Sequence, residues 1–198
     1  MPTRRAMLMQ AAVFSALPGL GFAQTRGLSL PLEPTPACTD GHEATPAQTE
    51  GPYYTPRSPL RSSLREAGIA GVPLKVGGYV LTRDCRPLAG ALVDLWQADG
   101  NGRYDNDGYR LRGHQRTDAE GRWQMETVVP GLYPGRTRHI HVKVQPEGGR
   151  LLTTQLYFPD EPGNRRDRIF DRRLLMTVAG DETGRIARFD FVMDMPAG

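Results

Sequence analysis

Cysteine is nearly absent from this chain: Cys38 and Cys85 are the only two in 198 residues. Neither has a second Cys at ligand spacing, so a cysteine-based metal site is not expected. Beyond the first two dozen residues no apolar run is long enough to cross a membrane. There is no internal repeat, no low-complexity tract and no block of like charge. The formal net charge of +3 is carried by interspersed residues, as on an ordinary soluble surface, so no nucleic-acid partner is expected.

The exception to the missing apolar runs is the N-terminus. Met1 to about Ala23 has a basic start, Thr3-Arg4-Arg5, an apolar run from Ala6 to Phe22, and a small-residue exit, Gly21-Phe22-Ala23. This is the layout of a secretory signal, and the paired arginines resemble a twin-arginine signal. Gln10, Pro18 and two glycines interrupt the run, which argues against a membrane anchor. Residues 1–23 are therefore expected to direct export to the periplasm by the twin-arginine route, with no membrane association once they are removed. That route carries folded proteins and suits a metal loaded before transport. The segment holds two arginines and no acids, so its removal takes +3 to +1. In an oxidising compartment the even cysteine count favours a Cys38–Cys85 disulfide over two separate buried thiols. It would close a loop of about 47 residues, worth roughly 4 kcal/mol in the chain-entropy picture.

Glycine and proline are frequent, 23 and 17 residues, which points to short strands joined by turns. Residues 24–73 lack clear periodicity and read as an extended arm with turns, with a short helical turn at Ser62–Gly68. Residues 74–198 read as one β domain. Its strand-like runs are Leu74–Thr82, Ala89–Gln97, Gly113–Thr117, Arg122–Val128, His139–Gln145, Leu151–Tyr157, Leu174–Val178 and Arg185–Met193. A charged helix could fall at Gly163–Phe170. About eight short strands at this spacing predict an all-β fold, an antiparallel β-sandwich with an extended N-terminal arm.

The chemistry-bearing residues lie between Tyr104 and His141. In a strand, residues i and i+2 face the same side, so His139 and His141 point together while Ile140 faces the other layer. A His-x-His pair alone is a weak signal; it can be a hydrogen-bonded core pair, and if it binds metal the default is zinc. Tyr104 follows the turn Asp99-Gly100-Asn101-Gly102, and Tyr133 sits in Pro130-Gly131-Leu132-Tyr133-Pro134-Gly135. Taken singly, each is a packing tyrosine. Taken together, two phenols and two imidazoles suit a hard, high-valent metal such as ferric iron.

Several motifs occur in a fixed order: Thr49-Glu50-Gly51-Pro52-Tyr53-Tyr54, Leu88 to Ala98, Gly102-Arg103-Tyr104, Pro130 to Pro134, Arg136 with His139-Ile140-His141, and Thr154-Gln155-Leu156-Tyr157-Phe158. From Thr49 onward the chain resembles the intradiol ring-cleavage dioxygenases, the group containing protocatechuate 3,4-dioxygenase and catechol 1,2-dioxygenase. The resemblance implies a non-haem Fe(III) centre held by Tyr104, Tyr133, His139 and His141, with hydroxide completing it. It implies a catechol-type substrate cleaved with O2, between the hydroxyl carbons, to a cis,cis-muconate-type diacid. Tyr133 would leave the metal when the catechol binds and take one of its protons. Arg136 would lie over the ring to stabilise developing negative charge, Gln155 would orient beside it, and Tyr53 and Tyr54 would either both line the pocket or divide, one lining it and one packing. Relatives of this kind leave a homo-oligomer or a partner subunit open.

Two departures fall at the outer pocket. The interval from Tyr133 to His139 is shorter than in protocatechuate dioxygenase, and Gly135 stands where a tryptophan follows the tyrosine-proline. Arg138 is an extra cation there, expected either to favour an anionic substituent on the catechol or to be solvent-exposed. Two other classes compete with the enzyme: a non-catalytic periplasmic β-sandwich binding module, and a zinc or copper protein using the His-x-His pair.

Overall fold

The computed structural model describes residues 43–195, so the expected signal segment and Cys38 lie outside the described residues. Among the described residues nine strands form two packed sheets: β1 Pro73–Thr82, β2 Leu92–Trp96, β3 Arg112–Arg116, β4 Arg122–Val128, β5 His139–Gln145, β6 Leu152–Tyr157, β7 Thr177–Asp181, β8 Gly184–Arg188 and β9 Phe191–Met193. One sheet runs β4-β1-β8-β7, with β9 joining β1 further along; the other runs β3-β2-β5-β6. The four-stranded sheet is antiparallel throughout, whereas β1 pairs parallel with β8 and β9.

Strand alternation builds the core. Val93 and Leu95 of β2, Ile140, Val142 and Val144 of β5, and Leu156 of β6 face Val76, Val80, Trp123, Met125, Ala187 and Phe191 of the other sheet, all buried. The alternation is strict in β5, so its other face is left to His139, His141 and Lys143.

Three local expectations differ from the structure. Ser62–Gly68 is not a helical turn. Leu60 and Ser63 instead make single bridges to His114 of β3 and Glu126 of β4, and Leu64 inserts fully buried between the sheets. Backbone pairing with two strand edges and burial of a leucine outweigh a short local helix, which is marginal by itself. At Gly163–Phe170 only a 3-10 turn forms, Pro162–Arg165. The run Arg185–Met193 is broken into β8 and β9, because the Asp190 side chain takes the Tyr79 amide at 3.0 Å and interrupts the ladder along β1.

Candidate metal centre

The face of β5 turned away from the core carries the site. Its register sets Trp96 on one side of His141 and Gln155 on the other, with Arg112 beyond Trp96 and Tyr157 beside His139. The outer face of an antiparallel sheet is ordinarily solvated. Here His139 and His141 are 5% and 3% exposed and Gln155 is fully buried, because the arm crosses over them. Gln155 Nε2 donates to the Thr49 carbonyl at 3.0 Å, the Tyr157 hydroxyl donates to Gln48 Oε1 at 2.7 Å, and Arg112 Nη1 donates to the Tyr53 carbonyl at 2.5 Å. Gly51 lies directly over His141; a Cβ at that position would stand 3.3 Å from its Cε1.

Both imidazoles are fixed and neutral. His139 Nδ1 is 2.6 Å from the Thr137 carbonyl, which can only accept, so the proton sits on Nδ1 and the Nε2 lone pair is free. Burial, with the nearby Arg136 cation, holds the His139 pKa down to about 4 against that hydrogen bond. Burial, His139, Arg136 and Arg112 hold His141 well below its usual range. Trp96 stacks on His141 at 4.9 Å and 9° between planes, which sets the orientation of that ring. The two Nε2 atoms are 3.2 Å apart. Two nitrogens bound cis to one ion at about 2.1 Å stand about 3 Å apart, so the separation fits a shared metal.

The tyrosines come from two connections, Tyr104 between β2 and β3 and Tyr133 between β4 and β5. These loops meet backbone to backbone: Gly131 N donates to the Asp99 carbonyl at 2.7 Å. A Cβ on Gly102 would fall 2.1 Å from the Leu132 carbonyl oxygen, and Gly102 has φ +78°. Glycine is thus required at 102 on two counts, and the close approach brings both rings to the histidines. Ring centroids lie 6.1 Å apart for Tyr104–Tyr133 and 6.3 Å apart for Tyr104–His141. Tyr53 completes the group, stacked on Tyr104 at 4.4 Å with its hydroxyl 2.9 Å from that of Tyr133. Burial pushes the Tyr104 phenol well above its ordinary pKa, against the pull of Arg136 and Arg112. A phenolate there requires a cation strong enough to overcome that burial.

Arg136 borders the same space. Its Nε donates to Asp167 Oδ2 at 2.8 Å, and its Nη2 donates to Gln155 Oε1 at 2.5 Å and to the Tyr157 hydroxyl at 3.3 Å. Its Nη1 has no hydrogen-bond partner among the described residues. Burial pushes the Tyr157 phenol up to about 12, so it acts as a neutral hydroxyl.

Tyr54 and Arg138 each have partners of their own. Tyr54 turns away from Tyr53: its hydroxyl donates to Asp94 at 3.3 Å, Lys143 Nζ sits 3.4 Å over its ring, and it packs on Trp96. It supports the wall behind His141 rather than lining the space between the tyrosines. Arg138 is half-buried rather than solvent-exposed: its Nε pairs with Glu161 at 2.6 Å and its Nη1 bonds the Pro130 carbonyl. Asp167, Trp96, Arg112 and Gly51 carry roles that motif reading did not assign. The period-2 register of β2 against β5 was the signal for Trp96; no local signal marks Asp167.

The donor chemistry discriminates among metals. Among the described residues no group of three or more His, Cys, Asp and Glu is placed to hold a metal. A metal at the histidine pair must therefore draw on phenol oxygens, which as phenolates are hard anionic donors suited to ferric iron. Two phenolates and a hydroxide would balance the charge of a trivalent ion, so such a centre could sit in a buried, low-dielectric place.

Comparison with known proteins gives the family. A family model described as Dioxygenase matches residues 49–195. Catechol 1,2-dioxygenase 2 of Acinetobacter lwoffii is 32% identical over 170 residues, covering 73% of this chain and 61% of the relative. The chain spans about half to three-fifths of the length of the curated relatives it matches. Among solved structures, the dioxygenase domain of a dioxygenase carbohydrate-binding protein fusion from the cellulolytic bacterium Streptomyces sp. SirexAA-E is 56% identical with a TM-score of 0.75, covering 78% of this chain and all of that one. The 3-chlorocatechol 1,2-dioxygenase of Rhodococcus opacus 1CP is 28% identical with a TM-score of 0.71, covering 76% and 73%. Motif order, sandwich fold and matched length together place this chain in the intradiol ring-cleavage dioxygenase family.

Proposed function

We propose that the protein is a non-haem Fe(III) intradiol dioxygenase. It opens the ring of a catechol between the two hydroxyl-bearing carbons and places both atoms of O2 in a cis,cis-muconate-type diacid. The observation that carries the reading is the buried histidine pair, Nε2 atoms 3.2 Å apart, facing two tyrosine loops, with no group of three or more His, Cys, Asp or Glu placed to hold a metal among the described residues. Tyr104, Tyr133, His139 and His141 would hold the ion. The chemistry a ferric ion supplies when bound is activation of a catecholate toward O2.

The chain's own residues do the rest. A catechol must lose two protons to bind as a dianion; Tyr133, as a phenolate, would take one and hydroxide the other. Once neutral, Tyr133 keeps a partner, because the Tyr53 hydroxyl is already 2.9 Å away. Arg136 presents Nη1 to negative charge developing on the ring, while Gln155 and Asp167 hold its other nitrogens. The arm keeps water from the histidine side. The outer side is more open: a Cβ at Gly135 would meet nothing within 4 Å, and Leu132 is 59% exposed. That opening favours catechols carrying a substituent.

The purified protein is expected to be red-brown from tyrosinate-to-iron charge transfer, with about one iron per chain. Anaerobic addition of catechol, protocatechuate and chlorocatechol in turn should shift the band for those that bind, and O2 should then release a ring-opened diacid. A colourless protein without iron would sink the reading; bound zinc with no visible band would support the alternative use of the histidine pair.

We also propose export and a Cys38–Cys85 bridge, on the strength of the N-terminal signal pattern and the even cysteine count. The protein from a periplasmic extract should begin near residue 24 and show no titratable thiol when unfolded without reductant. Two thiols per chain would refute the bridge.

A further inference from the structure

The geometry points to Asp167 as a positioning residue that serves both halves of the centre, the metal side and the substrate side. This rests on the dioxygenase reading above.

Asp167 lies just after the 3-10 turn, held on the backbone by its own amide to the Gly163 carbonyl at 3.0 Å. Its side chain is 2% exposed. Oδ2 accepts from Arg136 Nε at 2.8 Å and from the Thr137 amide at 3.0 Å, and Oδ1 accepts from the Ile169 amide at 3.1 Å. Burial raises its pKa, but these donors outweigh it and keep the carboxyl below its ordinary range, so the acceptor is an anion.

Two chains of contact leave this one carboxylate. The first runs through the guanidinium: with Nε on Asp167 and Nη2 on Gln155, Arg136 has a single allowed orientation and Nη1 is the group left to face substrate. The second runs through Thr137, which is held at three points. Its amide is on Asp167, its hydroxyl donates to Asn164 Oδ1 at 2.7 Å, and its carbonyl receives His139 Nδ1 at 2.6 Å. The partner that fixes the tautomer and tilt of a metal-binding imidazole is thus itself positioned by Asp167. Neither chain involves contact of Asp167 with substrate or metal.

The test is a mutant cycle in the iron-loaded protein: Asp167→Ala, Asp167→Asn, Arg136→Ala and the Asp167→Ala/Arg136→Ala double variant. Steady-state turnover reads the first chain. Asp167→Ala should lower kcat by ~10- to 100-fold with little change in KM, and in the Arg136→Ala background it should cost less than about 2-fold more. Loss of iron to a chelator reads the second chain. Both Asp167 variants should release iron ~10-fold faster than wild type, whereas Arg136→Ala should not. A purely structural aspartate would multiply with Arg136→Ala and leave iron release unchanged; either result overturns the inference. Failure of both Asp167 variants to fold would assign the residue to stability and overturn it too. A wild-type protein that holds iron and cleaves catechols, yet shows no such coupling, loses this inference alone. A wild type without iron or turnover fails the functional reading first, and this inference with it.

Discussion

Tyr104→Phe is expected to give a folded, nearly colourless protein that has lost most of its iron and at least ~10³-fold in turnover, an effect of about 4 kcal/mol on the barrier. The substitution is unusually clean. The Tyr104 ring stacks on Tyr53 at 4.4 Å and meets Tyr133 edge-on, and phenylalanine keeps both contacts. Its hydroxyl has no hydrogen-bond partner among the described residues, so removing it breaks no protein contact. Thermal stability without metal should therefore hold. Iron content and the visible spectrum read the lost ligand, and a melting curve of metal-free protein reads the fold. Full iron occupancy and an unchanged band would mean that Tyr104 is a packing residue.

Arg136→Ala should lower kcat by ~10²- to 10³-fold, the range for removing one charged group that stabilises developing negative charge. If the arginine acts only on that charge, KM for a simple catechol changes little. A second effect falls on stability. Asp167 keeps two backbone donors but loses its ion pair, at a cost of about 1–3 kcal/mol. The sign with pH follows from the lowered pKa of Asp167. Its stabilisation is present above the unfolded carboxyl pKa and is lost as pH falls through the folded value. The stability gap between wild type and Arg136→Ala should therefore be widest near neutrality and narrow in acid. Equal kcat values would remove Arg136 from the chemistry, and a gap that widens in acid would contradict the assigned charge of Asp167.

The parts of this molecule legible in its sequence are those governed by short-range periodicity. His139 and His141 share a face because a strand has period 2, and the same rule sends Ile140 into the core. Motif order brought Tyr104 and Tyr133 into one set, although their approach depends on backbone contact between two distant loops at Gly102 and Gly131. What was hidden depends on partners far along the chain. Arg138 read as a free cation because Glu161, which neutralises it, lies across a strand pair. Asp167 sat in a charged stretch that resembled a helix, and only the folded loop aims its carboxylate at Arg136. Tyr53 and Tyr54 are neighbours with opposite surroundings, and only the path of the arm over the sheet separates them. Ser62–Gly68 had local helix character that two strand edges overrode.

Strand β5 has a consequence for how this protein can change over evolutionary time. Its residues serve two masters in alternation, apolar packing at Ile140, Val142 and Val144 and, at the other parity, the proposed metal-binding face that carries His139 and His141. Substitutions can tune either set independently. A single-residue insertion or deletion cannot, because it would deliver imidazoles to the core and Ile140 to the metal in one step. Length variation among descendants of this sequence should therefore gather in the loops that carry Tyr104 and Tyr133, where new substrate preferences can arise, while β5 keeps its count.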